Sequence, residues 1–170
     1  MLESLWTVAF VYTLLRMREQ IRKIELDDPQ VRALRDLPEG YEHLRRGSYT
    51  PALISCTQHL HRRGPSTDVA YWLRATARLG LHQYEQSVED CNEALARNIY
   101  LTGAYRIRGL AYYALQEYAR ALDNLEYAVR LGDVHPEVYE MRADILYRLG
   151  ESEQAAREEA RAQALALRNT

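Results

Sequence analysis

The sequence predicts an all-α protein: a right-handed solenoid of helical hairpins preceded by a helical extension at its N-terminus. Three observations predict it. The 170 residues hold only eight glycines and five prolines, well under the roughly 12% of an average chain, which argues against a turn-rich β-sandwich and for long helices. Apolar residues make up 47% of the chain, enough to bury a core. Above all, matching residue types recur every 34 positions, and 170 is five times 34, a period characteristic of stacked helical hairpins.

Residues 1–32 form the extension. Leu5 to Leu15 is apolar apart from Thr7 and Thr13, and Arg16, Arg18, Arg22 and Lys23 follow. A helix from Leu2 to Leu15 would run about 21 Å, against roughly 30 Å of bilayer hydrocarbon. Glu3 blocks its lengthening. Three readings stay open. The helix packs on the rest of the chain or in its groove, or it binds a partner or oligomerises through a stripe of Trp6, Phe10, Leu14 and Met17. In the third reading residues 2–15 anchor the chain to a membrane, the basic cluster holding the remainder on the cytoplasmic side. Asp28-Pro29 reads as the cap and first turn of the next helix.

Residues 33–170 carry the repeats, in units of about 33–67, 68–101, 102–135 and 136–169. Tyr71, Tyr105 and Tyr139 are spaced by 34, as are Arg74, Arg108 and Arg142. Leu81, Leu115 and Leu149 keep the step, and so do Ala94, Ala128 and Ala162. Each unit reads as two helices. Thr102 to Leu115 places apolar residues at helical spacing, Gln116-Glu117 breaks the run, and Tyr118 to Leu131 resumes it. Gly132-Asp133 closes that helix and Pro136 opens the next. Small residues at Gly109 and Ala121 let two helix backbones approach, with large Tyr and Leu side chains beside them. Neither helix buries its apolar face alone, so the units must stack.

These residues resemble the tetratricopeptide-repeat family, whose motif runs aromatic, small, aromatic, then Ala, a large apolar residue and Ala. In 102–135 the positions hold Tyr105, Gly109, Tyr112, Ala121, Leu125 and Ala128. In 68–101 they hold Tyr71, Ala75, Arg78, Ser87, Cys91 and Ala94, and in 136–169 Tyr139, Ala143, Leu146, Ala155, Glu159 and Ala162. The unit 33–67 is degenerate: it keeps Gly40, Tyr49, Ala52 and Cys56 but has Pro38 inside its expected first helix. Glu159 stands where a large apolar residue should be. With Ala155, Ala162 and Ala166 turned inward and Arg157, Glu158 and Arg161 toward water, the last helix reads as an end cap.

The resemblance implies a non-catalytic protein–protein interaction module, an adaptor or assembly scaffold, with a concave groove lined by the first helices. By position, that groove takes Val69, Trp72, Thr76 and Leu79, then Arg106, Leu110 and Tyr113, then Glu137, Glu140, Asp144, Tyr147 and Arg148. Such a groove is apolar and aromatic along Trp72–Tyr113 and acidic at its C-terminal end, suiting a peptide or helix with an apolar anchor and a basic residue. The competing reading is a solvated face with Arg106 and Glu140 paired. Family members that clamp the acidic tails of large chaperones use lysine and asparagine where this chain has Leu37, Tyr41, Leu73, Gly103 and Ile107, so that activity is not expected.

Arg74, Arg108 and Arg142 interrupt otherwise packed helices; with Asp90 and Asp123 as partners they read as a ladder of ion pairs between helices. Cys56 and Cys91 occupy one slot in adjacent units and read as small core residues rather than a redox or metal pair. His59 and His61 are too differently oriented on a helix to share a metal. No phosphate loop, zinc motif or nucleophile–base set is present, so no enzyme activity, cofactor or metal is expected. A net charge of −2 gives no field to gather nucleic acid. A mean hydropathy of −0.46 excludes a multi-spanning membrane protein. Two cysteines and the absence of a secretory pattern point to a cytoplasmic chain, alone or at the cytoplasmic face of a membrane.

Overall fold

The computed structural model describes residues 28–167, which form nine helices and no strand. They are α1 Pro29–Asp36, α2 Pro38–Arg45, α3 Tyr49–His61, α4 Thr67–Gly80, α5 Tyr84–Arg97, α6 Thr102–Ala114, α7 Tyr118–Arg130, α8 Pro136–Arg148 and α9 Ser152–Ala166. From α2 onward they pair as hairpins, each first helix packing on its own second helix, and each second helix on the first helix of the unit that follows. Among the described residues no helix is long and apolar enough to cross a membrane. Trp6, Phe10, Leu14 and Met17 lie outside the described residues.

The turn inside each hairpin is built the same way. Gly47, His82, Gln116 and Gly150 all take a positive φ. At His82 the left-handed residue donates its N–H to Leu79 O, and Gln83 N donates back to Arg78 O. Gln116–Glu117 and Gly150–Glu151 repeat both bonds. This double closure satisfies carbonyls that the helix end leaves open.

The irregular unit has a local cause. Proline disfavours helical backbone in the residue before it, and Leu37 sits at φ −134, ψ 51 between α1 and α2. Both short helices begin with proline. Asp28 caps α1, accepting from Gln30 N at 2.7 Å and Val31 N at 3.2 Å. The break turns α1 onto α4, where Ala33 and Leu37 share a core with Val69, Leu73 and Trp72. Arg32 fixes the crossing with two bonds to Asp68, at 3.1 and 2.6 Å, and Asn98 adds a third.

At the far end of α1, Asp36 accepts from Arg35 Nε at 2.8 Å and from Ser66 Oγ at 2.6 Å. The Arg35 hydrogen bond, working against burial and aided by Ser66, holds this carboxyl down at about 2, below its ordinary 3.8. A depressed folded pKa stabilises fully above the unfolded value and is lost as pH falls through the folded one. Asp36→Asn is therefore expected to cost up to about 1 kcal/mol at pH 6, after allowance for solvent screening of the Arg35 pair, with the cost shrinking as pH falls toward 2 and vanishing below it. Urea titrations of both proteins across that range measure the difference.

The arginine ladder is present, with Asp90 a partner as expected and Asp123 not. Arg74 reaches Asp90 through Nε at 2.9 Å and Nη2 at 2.6 Å. Arg108 does not meet Asp123, which is exposed; its Nε donates to Asn124 Oδ1 at 2.6 Å, and Nη1 to Asn92 Oδ1 at 2.7 Å. Asn124 suits the place because its amide also donates to Arg120 O at 2.7 Å, which a carboxylate could not do. Arg142 pairs with Glu158 at 2.9 Å. Glu158 is thus 6% exposed rather than facing water, because every rung joins residues sixteen apart and this glutamate ends the last one.

The weakened unit 68–101 repairs itself in the same way. Ser87, in an alanine slot, donates its hydroxyl to Ala75 O at 2.9 Å. Arg78, in an aromatic slot, adds a 2.9 Å ion pair to Asp90 and a bond to Gln86 O. Cys56 and Cys91 are buried as core residues, and burial pushes the Cys56 thiol up to about 12. Gly109 faces Leu125: a Cβ there would lie 2.9 Å from its Cγ and Cδ2.

Candidate partner-binding groove

The first helices α4, α6 and α8 carry the positions expected to line a groove. That face is not uniformly open. Val69 is fully buried and Trp72 is 9% exposed, because Pro38 breaks the first unit and lets α1 pack over them. Thr76 turns its hydroxyl back to Trp72 O at 2.9 Å. Leu79 and Leu110 are half-buried against the same core.

Toward the C-terminal end, Tyr113 donates its hydroxyl to Asp144 Oδ2 at 2.5 Å, and Arg148 Nε donates to the same oxygen at 2.7 Å. The Arg148 bond first, then Tyr113, holds the Asp144 carboxyl below its usual range, while the Asp144 bond raises the Tyr113 phenol. Arg148 also lies over the Tyr113 and Tyr118 rings. Asp144 is therefore occupied within the chain. Glu137 and Glu140 are exposed and have no ion pair among the described residues. Tyr147 is exposed beside Glu159, whose carboxylate accepts its hydroxyl at 3.4 Å. Arg106 does not pair with Glu140; its carboxylate neighbour is Asp133, at 3.6 Å.

One feature escaped the sequence reading. At the lip where α4 and α6 meet, a cavity of about 300 Å³ opens beside Trp72, Gly103 and Arg106. Tyr100 and Val134 border it and are 73% and 60% exposed. They are 34 residues apart, in the loops that lead into α6 and α8. Two large apolar residues at one exposed loop position are the signal that could have marked this edge. Among the described residues no group of three or more His, Cys, Asp or Glu is placed to hold a metal.

No family model matches the chain, and no curated protein matches it in sequence. Solved structures do. A crystal structure of MamA is similar at 17% identity and a TM-score of 0.67, covering 91% of this chain and 87% of that one. The first TPR domain of human RPAP3 is 28% identical, with a TM-score of 0.61, covering 68% of this chain and 91% of that one. The second TPR domain of human RPAP3, solved in complex with an HSP70 peptide, is 21% identical with a TM-score of 0.58, covering 69% and 97%.

Proposed function

We propose that this chain, a tetratricopeptide-repeat solenoid, is a non-catalytic protein–protein interaction module, an adaptor or assembly scaffold that holds a partner segment on the face of α4, α6 and α8. One observation carries the reading. Among the described residues, buried charges such as Arg74–Asp90 and Arg142–Glu158 join helix to helix, whereas Glu137 and Glu140 are exposed and without an ion pair on α8, the first helix that follows half-buried Leu110 and Tyr113 of α6. A segment with an apolar anchor and a neighbouring Lys or Arg complements that surface: the anchor rests on Leu110 and the cation meets the two glutamates. The peptide complex of the human RPAP3 domain supports a segment as the kind of partner such a fold holds.

Charge reversal tests this. The double change Glu137→Lys, Glu140→Lys is expected to reduce capture of cellular partners on the tagged full chain by about tenfold or more. Glu93→Lys with Glu126→Lys, exposed on second helices and held only in surface pairs, should leave capture unchanged. Equal capture by all three proteins, read by quantitative mass spectrometry, would remove the assignment of this face.

A further inference from the structure

We infer that the chain's own residues 16–26 are the resident occupant of the acidic end of the groove: Arg22 and Lys23 meet Glu137 and Glu140, and Ile24 and Leu26 rest on Tyr100 and Val134. The inference rests on the groove reading and deepens it, because a partner segment then displaces an internal one of the same chemistry.

Position comes first. Asp28, the first described residue, caps α1 and borders the same cavity as Tyr100, Val134 and His135. His135 is the residue from which α8 starts. The segment that precedes Asp28 is therefore attached at the lip of the groove, beside the beginning of α8. Glu137 and Glu140 follow His135 by two and five residues, about 3 and 7.5 Å along the helix. Lys23 precedes Asp28 by five residues, a reach of up to roughly 18 Å. Ile24 and Leu26 stand nearer still to the anchor point. Tyr100 and Val134, 73% and 60% exposed, offer them apolar surface whose covering is favourable.

Charge selects the pairing. Within Arg16–Lys23 four side chains are basic, Arg16, Arg18, Arg22 and Lys23, and only Glu19 is acidic. The surface beside their point of attachment has the opposite sign. Glu137 and Glu140 are exposed, have no ion pair among the described residues, and lie about one helical turn apart. The neighbouring carboxylates are already engaged, Asp144 by Arg148 and Asp133 by His135. On the second helices, exposed Glu93 and Glu126 each meet an arginine four residues on. A single exposed ion pair is weak, but attachment changes what is needed. A tethered segment acts at an effective concentration on the order of millimolar, so a contact with a millimolar dissociation constant is already half occupied. Two ion pairs and two apolar contacts meet that modest requirement.

Lys23 is the only lysine of the chain, which makes the contact readable. A carbodiimide that joins amine to carboxylate without a spacer is applied to the full chain at low micromolar concentration. Isotope-labelled and unlabelled protein are mixed equally, and the products are mapped by mass spectrometry. Coupling of Lys23 to its near neighbour Glu19 serves as the internal standard. Lys23 is expected to join Glu137 or Glu140 at least about fivefold more than Glu85 or Glu89, an equally exposed acidic pair on α5. Both ends should carry the same isotope, and the yield should fall several-fold in about 0.5 M sodium chloride. Combining Arg22→Glu, Lys23→Glu with Glu137→Lys, Glu140→Lys should restore coupling between the same positions with the charges exchanged. Coupling that misses Glu137 and Glu140, or reaches Glu85 and Glu89 equally, overturns the inference. Mixed isotopes across the join would give the surface to a second copy and overturn it too. If coupling is missing while Glu137→Lys, Glu140→Lys still loses its cellular partners, the groove stands and only the internal occupant falls. If capture is also unchanged, both fall.

Discussion

Asp90→Ala is expected to lower the unfolding free energy by about 3–5 kcal/mol, the cost of breaking a buried ion pair from one side. The Asp90 side chain is 3% exposed, and it compensates two guanidinium groups, Arg74 and Arg78. Removing it leaves both cations inside the α4–α5 hairpin, where water reaches them poorly and the Tyr71 ring, its centroid 5.2 Å from Arg74, is a weak substitute for a carboxylate. Burial, rather than the number of ion pairs, makes this rung expensive to break. The exposed pair of Arg97 with Glu93 has similar geometry, at 2.6 Å, yet its removal should cost no more than about 0.5 kcal/mol. Guanidinium chloride titration of the two alanine variants measures the contrast. A cost below about 1 kcal/mol for Asp90→Ala would mean that the ladder is solvated and does not fix the stacking.

Leu125→Ala is expected to cost about 3–5 kcal/mol, the range of fully buried leucines in cores that relax only partly. Leu125 fills the space that Gly109 leaves on the facing helix, and it has no solvent exposure. The pair makes a sharper prediction than either residue. In the parent chain Gly109→Ala would press its Cβ to 2.9 Å from the Leu125 side chain, so overpacking offsets the helix preference for alanine. With Leu125 already shortened, the Cβ keeps only an ordinary approach to Ala121 O, at 3.4 Å. There the same change should recover about 1 kcal/mol through helix propensity and part of the lost volume. A double-mutant cycle by chemical denaturation reads the coupling. Simple additivity would mean that Gly109 and Leu125 do not define the approach of α6 to α7.

The hairpins were legible because a 34-residue period survives in Tyr, Arg, Leu and Ala at once, and every turn closes at an equivalent place. Pro38 was legible as a disturbance, but its consequence was not. Assigning Val69 and Trp72 to an open groove assumed a regular first helix in the first unit. The break at Leu37 instead brings Ala33 and Leu37 over them, a contact between residues some 36 apart that no local pattern records. The ladder taught a different lesson. Searching for a carboxylate selected Asp123, although the rung is set by position: sixteen residues after Arg108 stands Asn124, whose amide accepts as a carboxylate does. Glu158 was assigned to solvent because it is charged, while the same offset from Arg142 places it inside. Asp144, likewise, was read as a free charge on the groove although Arg148 is one helical turn away to pair with it.

The central claim is that partners are held on the face of the first helices. A photoreactive benzoylphenylalanine placed singly at Thr76, Leu110 or Glu140 of the full chain, and at Glu93 or Glu126 on second helices, tests it directly in cells. The account predicts covalent partner adducts from the first three positions and none from the other two. Adducts arising from Glu93 or Glu126, with none from Thr76, Leu110 or Glu140, would contradict it.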